Sequence, residues 1–146
     1  MSEDALYPIK DALVLVKQFQ DKTLPDYDWT HEAHLVVALY YLSLHTPEVA
    51  LPIVRKAIRT YNESIGIVNS DTSGYHETMT VFWLFYLQKR CATNGKVHFD
   101  QDTMDNMLWD ETIVGRNVWL DYYSKTLMLS TTARRDFVAP DVKALV

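Results

Sequence analysis

Glycine and proline, the residues that most strongly favour turns, are scarce in this sequence. The chain of 146 residues contains 4 glycines and 5 prolines. A sandwich or barrel of short strands needs a turn about every 8–12 residues, and this supply is too small for that. The runs between the turn residues carry hydrophobic side chains at steps of three and four, which is the helical period. The sequence therefore predicts an all-α fold.

Four segments are long enough to form the core of a helical bundle, namely residues 9–22, 30–45, 47–65 and 75–91. In the third segment, Pro52 allows either one kinked helix or a single turn followed by a helix that starts near Pro52. The fourth segment is hydrophobic on nearly every face, which is typical of a central helix. We therefore expect it to fill the core.

Shorter helices are predicted in the last third of the chain. Asp100 is placed to cap a helix over residues 100–109, and residues 117–129 favour one further helix or a pair of short ones. Thr131 or Thr132 is the predicted cap of a last turn. The total is about six helices in a bundle-like arrangement.

Size and composition narrow the class of protein further. A chain of 146 residues with 48% hydrophobic residues predicts a single helical domain over residues 1–146. The 14 basic and 19 acidic side chains give a net charge of −5, which provides no overall attraction to nucleic acid or anionic lipid. The longest apolar run, residues 81–87, is far shorter than the ~20 residues of a membrane span. With one cysteine and no secretory signal pattern, we expect a cytoplasmic protein.

Two histidines stand at the start of the second helix, in the string WTHEAHL. Side chains three positions apart on a helix diverge by only about 60°, so His31 and His34 can point toward one metal ion. The string differs from the zinc-protease signature H-E-x-x-H by one residue, so Glu32 is not expected to serve as that motif's base. Trp29 precedes the candidate cap Thr30 and is predicted to form a hydrophobic staple that fixes the entry into the helix.

A third histidine, His76, follows the polar loop 66–74 in the string GYHET. If the starts of the second and fourth helices lie at the same end of the bundle, His76 converges with His31 and His34. Three histidines, with or without the Glu77 carboxylate, suit zinc, iron, manganese or nickel. A water bound to such a metal could act as a nucleophile near neutral pH, with Glu77 as ligand or base. The pattern thus favours hydrolysis or a lyase step on a small molecule.

Two other interpretations of the histidines remain open. In the first, they are structural and bond to loop backbone or to neighbouring side chains, in a non-catalytic binding or interaction protein whose aromatic surface forms a homodimer. In the second, His34 or His76 transfers protons without a metal.

Polar residues near the same end of the predicted bundle could bind a substrate. Asn62 lies near the end of the third helix, Asn69 lies in the loop, and Tyr75 supplies a phenol. We predict that these three line a pocket for a small-molecule ligand.

Arginines and tyrosines near the end of the chain offer a second candidate site. Two tyrosines and three arginines could form an anion pocket, because phenols and guanidinium groups donate to carboxylate or phosphate. These residues are Tyr122, Tyr123, Arg116, Arg134 and Arg135. Ordinary surface ion pairs are the alternative for these arginines.

The strings WTHEAHL, TYNESIG, GYHET and ARRDFVAPD together resemble a family of small bacterial helical proteins for which no activity is established. The resemblance covers nearly the whole chain, and the pairing of W-T-H-x-x-H-L with G-Y-H-E-T is its most specific part. It implies one constellation of functional residues, made of Trp29, Thr30, His31, His34, Asn62, Tyr75, His76, Glu77 and Thr78.

Overall fold

The computed structural model describes residues 7–145, and within this range it contains helices and no strand. Five helices have eight or more residues and three are shorter. They are α1 Ile9–Asp21, α2 His31–Leu44, α3 Pro47–Ser64, α4 Glu77–Cys91, α5 Gln101–Leu108, α6 Glu111–Val114, α7 Lys125–Met128 and α8 Thr131–Arg135. The predicted all-α fold is confirmed, and α1 to α4 are the four long helices.

The long helices begin where the cap residues indicate. Thr30 and Thr46 accept backbone N–H groups at the starts of α2 and α3, and Asp100 does so for α5. Each cap satisfies one of the donors that the first turn of a helix leaves free. Pro52 lies inside α3, which is one helix from Pro47 to Ser64.

The short elements agree only in part with the sequence-based expectation. Residues 117–129 form a pair of short elements, a 3₁₀ turn at Val118–Asp121 followed by α7. The last helix is capped by Ser130, whose Oγ accepts the Ala133 N–H at 3.1 Å, so the prediction of Thr131 or Thr132 is wrong by one or two positions. Helix α6 and a 3₁₀ turn at Asp26–Asp28 were not predicted.

Helix α4 lies at the centre and packs against α2, α3 and α8. Its hydrophobic side chains are buried on several faces, among them Phe82, Leu84 and Leu87, which belong to one core shared with the other long helices. This is the central position predicted from its composition. No helix within residues 7–145 is both long and apolar enough to cross a membrane.

Candidate functional site

Two adjoining cavities lie between α3 and the first halves of α2 and α4. The Trp83 cavity has a volume of about 310 Å³, and the loop cavity, beside residues 66–74, has a volume of about 460 Å³. Four residues line both and form the wall between them: His34, Ile58, Met79 and Thr80. Most of the surface in both is apolar, which is typical of small-molecule sites.

Five of the seven predicted site residues line these cavities. His31 and His34 line the Trp83 cavity, and Asn62, Tyr75 and His76 join His34 in the loop cavity. Asn69 and Glu77 line neither. The structure therefore brings five of the seven predicted residues together at one end of the bundle. Their hydrogen bonds differ from one residue to the next.

His34 is held by the residues that begin α2. The Trp29 ring stacks on the imidazole with centroids 3.7 Å apart, so the predicted staple packs against a histidine. The Trp29 ring also stacks on the Phe19 ring, with centroids 4.8 Å apart. These contacts fix the orientation of the His34 ring at the shared wall.

The two ring nitrogens of His34 have different environments. Nδ1 lies 2.6 Å from the Thr30 carbonyl oxygen and must donate to it, because a carbonyl only accepts. Burial lowers the pKa of His34 to about 4, against the opposing effect of the Thr30 bond. The ring is therefore neutral near pH 7, and Nε2 carries a lone pair without a protein partner among residues 7–145.

His31 is bonded through its other nitrogen. Its Nε2–H donates to the Val114 carbonyl at 2.7 Å, which leaves Nδ1 as the unprotonated nitrogen of the neutral ring. Burial lowers the pKa of His31, and the nearby charge of Arg116 lowers it further, although the Val114 bond opposes the shift.

His76 uses both ring nitrogens to support the protein. Nδ1 accepts the Met79 N–H at 3.1 Å and caps α4, while Nε2–H donates to the Met128 carbonyl at 2.7 Å. Neither nitrogen has a lone pair left for a metal. Burial also lowers its pKa, so the neutral form persists.

The predicted three-histidine metal site is not present among the described residues. Within residues 7–145, no group of three or more histidine, cysteine, aspartate or glutamate side chains is arranged to hold a metal ion. The physical reason is the hydrogen bonding of His76, which leaves His31 and His34 without a third imidazole. Zinc or iron would therefore lack the three protein ligands usual for a catalytic site.

Glu77 is an ion-pair partner and does not face either cavity. Its carboxylate accepts two hydrogen bonds from Arg55, at 2.9 and 2.7 Å, and one from the Tyr75 hydroxyl at 2.7 Å. Burial raises the pKa of Glu77, but these donors outweigh burial and hold the pKa below its ordinary value. A carboxylate stabilised in this way is a poor base, so the structure argues against the predicted catalytic role.

The two asparagines have separate roles. Asn69 Oδ1 accepts hydrogen bonds from Asn62 Nδ2 and from the Tyr75 N–H, both at 3.0 Å, and so it shapes the loop. Gly74 makes this possible because it has a φ of +76°, and a Cβ there would lie 2.6 Å from Asn69 Oδ1. Asn62 is buried, and its Oδ1 has no protein partner among the residues described.

The C-terminal residues 128–138, which we call the C-terminal strap, fasten the start of α4. Thr78 donates to the Asp136 carbonyl at 2.9 Å and accepts the Val138 N–H at 3.1 Å. Arg134 donates to the Gly74 carbonyl at 2.8 Å. The strap therefore joins the strings GYHET and ARRDFVAPD in space.

The arginines that could have formed an anion pocket have different partners. Arg134 bonds to the loop backbone, Arg135 pairs with Asp71 at 2.7 Å, and Arg116 lines the Trp83 cavity. The position of Arg116 at the Trp83 cavity was not predicted, and neither were Met79 and Trp83 as cavity walls. Arg116 directly follows a glycine after the short helix α6, which is a weak signal for a site.

Comparison of the chain with protein-family models, curated proteins and solved structures found no match. The resemblance of the four strings to a bacterial family therefore stays a prediction, as do the homodimer and the cytoplasmic location.

Proposed function

We propose that the two cavities bind a small, largely apolar molecule and that His34 Nε2 accepts a hydrogen bond from a hydroxyl or N–H group of that molecule. One observation carries this proposal. The Nδ1–H of His34 is committed to the Thr30 carbonyl at 2.6 Å, so the free lone pair belongs to a residue in the wall between the two cavities.

The size of the Trp83 cavity limits the ligand. Its volume of about 310 Å³ lies at the lower end of the ~300–1,000 Å³ range for ligand pockets. An engineered protein cavity of about 150 Å³ holds benzene. At the same cavity volume per non-hydrogen atom, the Trp83 cavity accommodates roughly 12 such atoms. A single ring with a short side chain has this size.

The polar atoms around the cavities select for hydrogen-bond donors. His34 Nε2 and Asn62 Oδ1 are both acceptors without protein partners among residues 7–145. A site with such acceptors discriminates strongly against a ligand that lacks the matching donor, because the acceptors then stay unpaired.

The strength of His34 as a base favours binding over proton abstraction. An effective general base has a pKa near the working pH, whereas burial lowers the pKa of His34 to about 4. Hydrolysis or lyase chemistry therefore stays a prediction, while binding has direct support from the geometry.

The test uses heteronuclear NMR of the four tryptophan indole N–H groups. Trp83 lines the Trp83 cavity, and Trp29 lines the loop cavity. Trp109 and Trp119 line neither cavity and serve as internal controls. Titration with hydrocinnamyl alcohol is expected to shift the signals of Trp83 or Trp29, and its methyl ether should bind at least about fivefold more weakly because it donates no hydrogen bond.

Two variants complete the test. Ala38→Phe fills the Trp83 cavity and should abolish binding, whereas His34→Phe keeps a ring on Trp29 but should remove the preference for the alcohol over the ether. The proposal is wrong if neither Trp83 nor Trp29 responds to the alcohol, or if Ala38→Phe binds it normally while remaining folded by thermal unfolding.

A further inference from the structure

We infer that the molecule bound in the Trp83 cavity is a monocarboxylate and that Arg116 binds its carboxylate group. This inference rests on the proposed function, and it adds the chemical class of the ligand. It concerns the opposite kind of contact from the one made by His34, since a guanidinium group donates hydrogen bonds and His34 Nε2 accepts one.

Arg116 is the only charged residue among those described that line either cavity. It is exposed, and within residues 7–145 it makes no hydrogen bond or ion pair. The other arginines are engaged. Arg55, Arg90, Arg134 and Arg135 donate to protein oxygens, and Arg59 lies over the Tyr75 ring at 5.8 Å. Arg116 therefore offers its donors to whatever occupies the cavity.

The walls beside Arg116 are apolar. Trp83, Met79 and Val54 contribute to the same cavity, and Trp83 is buried while Arg116 is exposed. An apolar recess with one cation at its edge fits an amphiphilic molecule whose hydrophobic part enters and whose anionic group stays at the rim. Arginine binds carboxylate and phosphate groups through paired N–H donors.

Nearby carboxylates favour a single negative charge on the ligand. Burial lowers the pKa of His31, and the negative charges of Glu32 and Glu111 oppose this shift, although neither residue lines the cavity. Their negative charges, with a net charge of −5 on the whole chain, repel a phosphate dianion more strongly than a carboxylate. One arginine can neutralise one carboxylate.

Together, the contacts define a ligand with three parts. An aromatic or aliphatic body lies against Trp83 and Met79, a hydroxyl or N–H group donates to His34 Nε2, and a carboxylate meets Arg116. Phenyllactate has all three parts and about the size of the cavity, so it serves as the probe. Phenylpropanediol is its neutral match, because it keeps the ring and the adjacent hydroxyl and replaces the carboxylate with an alcohol.

The experiment measures the dissociation constants of both probes by indole NMR at low salt for three proteins. The wild-type protein is expected to bind phenyllactate about fivefold more tightly than phenylpropanediol, which corresponds to about 1 kcal/mol, as for a good exposed ion pair. Arg116→Gln should bring the ratio near one, because it should weaken phenyllactate binding more than diol binding. Lys89→Gln makes the same change in net charge at the exposed far end of α4 and should keep the ratio.

The outcomes separate the two proposals. If the wild-type protein binds both probes equally, or if Arg116→Gln keeps the preference, the carboxylate inference is wrong and the proposed binding function stands. An equal decrease of the ratio in Lys89→Gln would also overturn it, because the effect would then come from net charge alone. If neither probe shifts Trp83 or Trp29, the proposed function fails and the inference fails with it.

Discussion

The starts of α2 and α4 lie at the same end of the bundle and both carry histidines, but their hydrogen bonding differs. At the start of α4, His76 uses both ring nitrogens, and Thr78 both donates and accepts. At the start of α2, His31 and His34 each use one nitrogen for a backbone carbonyl. The start of α4 is therefore bonded to the rest of the protein, and each histidine at the start of α2 keeps one ring nitrogen without a protein partner among residues 7–145.

This difference comes from the neighbours of each helix start. The partners of α4 are the C-terminal strap and Arg55, which meet the polar atoms of the GYHET string. The free nitrogens of α2 adjoin cavities with mainly apolar walls, which offer few hydrogen bonds. Similar residue types thus serve as scaffold in one place and as a candidate binding site in the other.

Removing the Glu77 carboxylate should give the largest effect on stability. Glu77→Ala leaves Arg55 and the Tyr75 hydroxyl without their acceptor, and we expect the free energy of unfolding to fall by about 3 kcal/mol. This is the lower end of the range for a broken buried pair, because the Arg55 side chain is 39% exposed. Urea denaturation measures the change.

The control for Glu77 is an exposed pair. Asp71 pairs with Arg135 at 2.7 Å, with side chains 55% and 61% exposed, and Asp71→Ala should cost less than about 1 kcal/mol. Equal losses in the two variants would contradict the view that the start of α4 is a buried scaffold.

Replacement of His76 should destabilise the protein more than replacement of His34. His76→Ala loses the cap of α4 and the bond to Met128, for a total of about 2 kcal/mol. His76→Asn restores the cap and should recover about half of that loss. His34→Phe keeps the stacking on Trp29 and should cost less than about 1 kcal/mol. Thermal unfolding would contradict the comparison if it ranked His34→Phe below His76→Ala in stability.

Acidification from pH 7 to pH 5 should destabilise the protein, and the share that comes from His34 should be smaller than the loss in Glu77→Ala. An unfolded histidine has a pKa of about 6.5, whereas His34 has a pKa of about 4 in the folded protein, so the unfolded state binds more protons in this range. The stabilisation is present above pH 6.5 and is lost as the pH falls toward 4. We expect about 1–2 kcal/mol from His34, after a discount for its partial exposure.

The His34→Phe variant tests the assignment of this pH effect. His31 and His76 also have lowered pKa values, so the variant should retain part of the pH dependence and lose the share of His34. Urea denaturation at the two pH values provides the measurement. If the free energy of unfolding depends on pH as steeply in His34→Phe as in the wild-type protein, the pH effect does not come from His34.

Local signals in the sequence predicted the long helices well. These signals are the hydrophobic period, cap residues such as Thr30 and Thr46, and the apolar composition of α4. Each of them acts within one or two turns of chain. The elements that were missed, α6 and the 3₁₀ turn at Asp26–Asp28, are single turns too short to show a period.

The sequence predicted which residues lie close together better than it predicted their hydrogen bonds. His31, His34, Asn62, Tyr75 and His76 line two adjoining cavities, as the histidines at two helix starts and the polar loop between them indicated. The roles of His76 and Glu77 depend on Met128 and Arg55, which are 52 and 22 residues away in the chain. No local pattern encodes such partners, which explains why a helix cap was interpreted as a metal ligand.

The C-terminal strap also sets an order for assembly during synthesis. Helices α2, α3 and α4 are synthesised before Met128, and the Met128 carbonyl that bonds to His76 comes 52 residues later in the chain. At about 5–20 residues per second, that delay is roughly 3–10 s. During this interval the start of α4 has been synthesised, but the segment that fastens it has not.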